Sequence, residues 1–125
     1  MKKLTRAEEE IMHIIWALEK CTVGDIRNYM VEKLQQKKPP HSTVSTLVRI
    51  LDEKGFLEHE AFGRTFVYRP LISKEDYSDQ SLQTLVRDYF EGSTNRLVSF
   101  LVKREDLSLD DLNNLIQKLE KSEEE

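Results

Sequence analysis

A chain of 125 residues has room for one standard domain, or for a small N-terminal domain with a short helical appendage, and leaves no space for a separate catalytic domain with its own cleft. Hydrophobic residues make up 38% and charged residues 34%, and Gly plus Pro total only seven, a composition that suits a soluble, helix-rich protein and excludes a largely disordered one. The net charge of −4 is uneven, with 12 Lys/Arg against 10 Asp/Glu in residues 1–72 and 7 against 13 in residues 73–125, so it does not exclude a nucleic-acid partner for the first segment.

Met1-Lys2-Lys3 leads into a charged segment instead of a signal-peptide core, and no apolar run approaches the ~18 residues of a membrane span, so a cytoplasmic location is expected. Thr5 and Glu8 form a capping-box pattern that predicts a helix start. Ile11, Ile14, Ile15 and Leu18 follow at helical spacing, which predicts an amphipathic helix ending near Lys20. Cys21 and Thr22 read as a short extended link. A lone cysteine permits neither an intrachain disulfide nor a multi-cysteine zinc site, and its plain reading is a small, half-buried residue between two helices, against the alternative of a reactive thiol. Thr22 with Asp25 again looks like an N-cap, and Ile26, Met30 and Leu34 predict a second helix with one apolar face.

Lys37-Lys38-Pro39-Pro40 ends that helix, because proline denies helical geometry to the residue before it. A third helix is predicted from Ser42 to about Lys54, burying Val44, Leu47, Val48 and Leu51, with Gly55 as a left-handed cap. The period then changes to two. Phe56–Glu60 and Thr65–Arg69 read as strands of a hairpin around Ala61-Phe62-Gly63-Arg64, closed by Pro70. Ser73 and Asp76 cap a long helix carrying Leu82, Leu85, Val86, Tyr89 and Phe90 that stops at Gly92; a shorter helix spans Thr94 to Lys103. Ser108 and Asp111 cap a last one with Leu109, Leu112, Leu115, Ile116 and Leu119, followed by a solvated acidic tail from Ser122.

Three helices and a two-stranded hairpin are the order of a winged helix-turn-helix. The expected fold is mainly α with a small β-hairpin wing: a winged-helix DNA-binding domain over residues 1–72 and a helical dimerisation domain over 73–125. The third helix is the candidate recognition element. Its apolar residues take one face and leave Ser42, Thr43, Ser45, Thr46, Arg49 and Asp52 on the rest. Ser and Thr are poorer helix formers than the Glu and Lys that normally fill a solvated face. Short hydroxyl side chains let a helix enter the major groove and meet base edges, phosphates and thymine methyls. The plain alternative is that Ser42 caps and the other hydroxyls are neutral surface; the cations around the helix argue against it, namely Lys37, Lys38, Arg49, Arg64 and Arg69. Arg64, beside Gly63 at the wing tip, is the candidate for a backbone or minor-groove contact, and His41 for a phosphate contact. The three histidines show no ligand spacing, so no metal, cofactor or catalytic residue is expected. A winged helix used only to dock a protein is the competing function.

Leu4, Thr5, Glu8, Ile11, Met12 and Trp16, then Ser42-Thr43-Val44, Thr46-Leu47, Leu51 and Lys54-Gly55, then Arg64, Phe66, Tyr68 and Pro70, and finally Leu107-Ser108 with Asp110, resemble the penicillinase repressor (BlaI/MecI/CopY) family over nearly the whole chain. The resemblance implies a homodimeric transcriptional repressor whose winged helix reads a palindromic operator with TACA/TGTA-type half-sites. It implies that Leu82, Leu85, Val86, Tyr89, Phe90, Leu97, Leu101, Leu112, Leu115 and Leu119 form or support the dimer interface. In β-lactam-responsive members a membrane sensor-protease signal leads to cleavage at an Asn-Phe bond; the matching position here is Phe100-Leu101. Copper-responsive members carry a C-terminal Cys-x-Cys pair, and with no cysteine after Cys21 that kind of sensing is not expected.

Overall fold

The computed structural model describes residues 2–104, 110–111, 113–114 and 116–118. It divides into two compact units, Met1–Lys74 and Glu75–Glu125.

The first unit opens with α1 (Arg6–Leu18), started by a complete capping box: the Glu8 amide donates to the Thr5 hydroxyl at 3.2 Å and the Thr5 amide donates to the Glu8 carboxylate at 3.3 Å. α1 buries Ile11, Met12, Ile14 and Ile15 and turns off at Glu19, whose φ is 67°. A second capping box joins Thr22 and Asp25 at the head of α2 (Val23–Glu32), which buries Ile26. Leu34, expected on the apolar face of this helix, lies beyond its end and is exposed.

The third helix, α3 (His41–Glu53), starts one residue earlier than the sequence reading placed it. Pro40 is the N-cap, with φ −58° and no side-chain cap, so a pre-set proline backbone delivers the chain into the helix and Ser42 is left within the first turn. α3 buries Val44, Val48 and Leu51, while Leu47 is half-buried. Its end is a Schellman turn: the Phe56 amide donates to the Leu51 carbonyl and the Gly55 amide to the Asp52 carbonyl, both at 3.0 Å. Gly55 takes φ 85°, a conformation costly for any residue with a Cβ, and Phe56 and Leu51 are both fully buried.

Strands β1 (Leu57–Phe62) and β2 (Thr65–Pro70) pair antiparallel, His59 opposite Tyr68 and Phe62 opposite Thr65. The hairpin loop is therefore only Gly63-Arg64, tighter than the four residues expected, with Gly63 at φ 65° in the position where a two-residue turn wants positive φ. The far edge of β2 is also paired. Cys21 exchanges two backbone hydrogen bonds with Tyr68, at 2.9 and 2.7 Å, which makes the α1–α2 link a one-residue third strand and buries Cys21 almost completely instead of by half. The exit of the hairpin is held by the Leu71 amide on the Phe56 carbonyl and by the Trp16 indole N–H on the Ile72 carbonyl, 2.8 Å.

The second unit contains α4 (Lys74–Tyr89) from its second residue and α5 (Thr94–Arg104), joined by a turn in which Glu91 and Gly92 have φ 55° and 75°. Among the described residues its core comprises Val86 and Leu97, with Leu82, Phe90 and Leu101 packed against them. In the expected last helix, Asp110, Asp111, Asn113, Asn114 and Ile116, Gln117 and Lys118 are helical. Leu112, Leu115 and Leu119 lie outside the described residues.

Candidate nucleic-acid interface

At about 100° per residue, Ser42, Thr46, Arg49 and Glu53 fall on one outward stripe of α3, opposite Val44, Val48 and Leu51. Ser42, Thr43, Thr46 and Arg49 are exposed, and Ser45 is half-buried on the flank toward the wing. The stripe ends in Glu53, an acid that the sequence reading did not weigh; only its N-terminal two-thirds can face a polyanion favourably.

Each end of α3 is tied to another part of the unit through a side chain. At the start, the Arg27 guanidinium donates to the Pro39 carbonyl at 3.0 Å, fixing the loop that carries Lys37 and Lys38. At the end, the Lys54 ammonium donates to the buried Glu8 carboxylate and, at 3.1 Å, to the Lys3 carbonyl. Burial opposes ionisation of Glu8, but the hydrogen bonds from Lys54 and Thr5 outweigh it and hold its carboxyl below the ordinary carboxylate range. Also near the C-terminal end of α3, the Asp52 carboxylate lies 2.6 Å from His59 Nδ1 on β1, so Asp52 joins helix to wing and is not simply part of the outer face. Burial and the Asp52 charge push the Tyr68 phenol up, with Arg49 opposing.

Between α3 and the wing lies an open groove of about 320 Å³ lined by Thr22, Val23, Gly24, His41, Ser45, Arg64, Thr65, Phe66 and Tyr68. Among the described residues, none that lines it is acidic. His41, Ser45 and Arg64, all read from the sequence, meet here; Thr22 to Gly24, Thr65 and Phe66 were missed. The Thr22–Asp25 box was legible as a cap, but its place beside α3 is set by tertiary packing. Asp25 and Thr22 satisfy each other's amides, which leaves the first-turn amides of Val23 and Gly24 at the groove, where a helix N-terminus favours an anion.

Lys37, Lys38, Arg49 and Arg64 are exposed, and none forms an ion pair among the described residues. Arg69, counted from sequence among the flanking cations, is instead paired with Glu58, its cross-strand neighbour, so its charge is largely offset. The Cys21 thiol is pushed up to about 12 by burial and by Asp25, and stays protonated and unreactive at neutral pH. Among the described residues no three His, Cys, Asp or Glu are placed to hold a metal ion, and no helix is long and apolar enough to cross a membrane.

In the second unit, Val86 and Leu97 are buried, Leu82, Phe90 and Leu101 half-buried, and Leu85 and Tyr89 exposed, Tyr89 to 77%. Phe100 is exposed on α5, where its ring meets Phe90 edge-on at 5.4 Å.

Residues 4–121 match the sequence profile of the penicillinase repressor family. The chain is similar to the methicillin resistance regulatory protein MecI of Staphylococcus aureus (strain N315), 29% identical over 114 residues covering 90% of this chain and 89% of that one. It is also similar to the penicillinase repressor of Bacillus licheniformis, 30% identical over 123 residues covering 96% and 94%. A solution structure of the DNA-binding domain of the repressor BlaI aligns with 31% identity and a TM-score of 0.49, covering 62% of this chain and 94% of that chain. With the profile spanning nearly every residue and a relative matched almost end to end, the chain belongs to the penicillinase repressor family.

Proposed function

We propose that this protein is a transcriptional repressor that binds operator DNA as a homodimer, with α3 in the major groove and the wing tip at the adjacent backbone or minor groove. The observation that carries the reading is the exposed stripe of Ser42, Thr46 and Arg49 beside an acid-free groove that ends in Arg64. In this reading Ser42, Thr43, Ser45 and Thr46 present hydroxyls to base edges and phosphates, and the Thr46 methyl can meet a thymine methyl. Arg49 is placed to donate two hydrogen bonds to a guanine or a phosphate. Lys38, His41 and Arg64 supply sequence-independent attraction to the backbone. The names of the relatives, a penicillinase repressor and a resistance regulatory protein, support the direction of control.

Two copies related by a dyad place two α3 helices about one DNA turn, or a multiple of it, apart, so the operator is palindromic; the family resemblance implies half-sites of the TACA/TGTA type. The second unit supplies the dimer contacts, with Leu85 and Tyr89 of α4 and Phe100 and Val102 of α5 as apolar side chains it leaves uncovered among the described residues. Relief of repression by a signal-dependent protease at Phe100-Leu101 fits the exposure of Phe100. That bond lies within α5, so cleavage requires local unwinding, and it removes Leu101 from the described core.

The test is a salt-titrated gel shift on DNA selected from a random pool. Binding weakens steeply as salt rises, and Thr46→Ala and Arg49→Ala each cost ~1–3 kcal/mol. Binding that ignores both salt and these substitutions would point to a protein-docking surface instead.

A further inference from the structure

The stripe on α3 and the arginine at the wing tip contact DNA together only if the angle between helix and hairpin is held. The covalent link fixes the base of the hairpin, through Gly55 and Phe56, but Gly63-Arg64 lies a full strand away, roughly 20 Å by extended-chain geometry. A close side-chain polar contact spans the junction. Asp52, on the wing-facing side of α3, meets His59 on β1 at 2.6 Å. The His59 ring packs in turn on Phe66 (4.9 Å between centroids) and Tyr68 (5.8 Å), and Phe66 lines the groove with Arg64. A run of contacts thus leads from the recognition helix to Phe66, which shares the groove with Arg64 of the wing tip. It is partly shielded, the two polar side chains being 25% and 43% exposed.

We infer that Asp52 and His59 are a positioning pair that fixes the wing against α3, so that Arg64 and the α3 stripe engage the duplex at once. The inference rests on the DNA-binding reading above. Its benefit is pre-organisation: a wing free to swing must be ordered on binding, and that ordering lowers affinity.

The sign of one substitution separates this role from its rivals. A carboxylate on a helix facing DNA repels phosphate, so by charge alone Asp52→Asn, which keeps the shape, strengthens binding. A positioning role gives the opposite. Asp52→Asn is expected to weaken binding to the selected duplex about fivefold, the scale of a partly exposed polar pair. The salt dependence should shallow by about one phosphate contact, toward that of Arg64→Ala. In an Arg64→Ala background Asp52→Asn should cost nothing further, because the contact it positions is already gone. His59→Gln should behave alike and carries the test if Asp52→Asn does not fold, as judged by thermal melts below which all assays are run.

Unchanged or tighter binding by Asp52→Asn, or an equal loss in the Arg64→Ala background, overturns the pair while wild-type binding keeps the DNA reading intact. A wild-type protein that shifts no selected DNA overturns both.

Discussion

The two units of this chain bury their apolar residues to very different degrees. In the first, Ile15, Ile26, Val48, Leu51 and Phe56 have no exposure at all, and polar ties from Trp16, Arg27 and Lys54 close the ends of the elements. In the second, the described core is Val86 and Leu97 with three partly buried neighbours, while Leu85, Tyr89, Phe100 and Val102 remain open. Among the described residues, the second unit leaves open apolar side chains that the proposed dimer would cover with a second copy. The contrast suits the proposed division of labour, in which the first unit presents the reading surface and the second assembles copies.

The largest expected effect tests the first half of that contrast. Phe56→Ala empties a fully buried site at the joint between α3 and the wing and should cost ~3–5 kcal/mol in a urea melt, independent of protein concentration. Leu97→Ala, in the described core of the second unit, should cost about 2 kcal/mol and should make the transition of its unit depend on concentration. Equal costs with no concentration dependence would erase the distinction between the units.

Next is Tyr89→Asp. Because Tyr89 is 77% exposed, the change removes little from the fold of one chain, yet it places a charge on the proposed interface. Loss of ~2 kcal/mol or more of association energy is expected, seen as monomers in sedimentation at micromolar concentration with the winged helix melting as before. A dimer that survives would move the interface elsewhere.

Smaller still is the acid response of the first unit. The folded Glu8 carboxyl titrates below its ordinary value, so the folded state favours the ionised form. Its contribution is complete above the ordinary carboxylate range and is lost as pH falls through that range to the depressed folded value. Glu8→Gln should cost ~1–3 kcal/mol at neutral pH and flatten the acid limb of the stability profile. A variant with an unchanged acid limb would mean that other carboxylates set it.

Much of the first unit was legible in the sequence because its signals are local. Thr5 with Glu8, Thr22 with Asp25, and Gly55 after an amphipathic run are side chains or backbones that act within a few residues of themselves. The start of α3 was misplaced at Ser42 because a serine before an apolar run looks like a cap, whereas Pro40 enters the helix by its fixed φ and needs no capping side chain. The Cys21–Tyr68 bridge left no pattern to find, since a single paired residue has no period. The stripe on α3 could be read from spacing alone. The pairing of Asp52 with His59, the offset of Arg69 by Glu58 and the meeting of the α2 N-terminus with Arg64 arise only when distant segments pack.

The central claim is that the outward stripe of α3 and the wing tip lie against DNA. It is tested most directly by titrating isotope-labelled protein with a duplex recovered by selection and mapping the amide resonances that shift. The account predicts the largest shifts at 41–49 and at Gly63-Arg64, with smaller ones at Val23 and Gly24. Shifts confined to α4 and α5, with α3 silent, would contradict it.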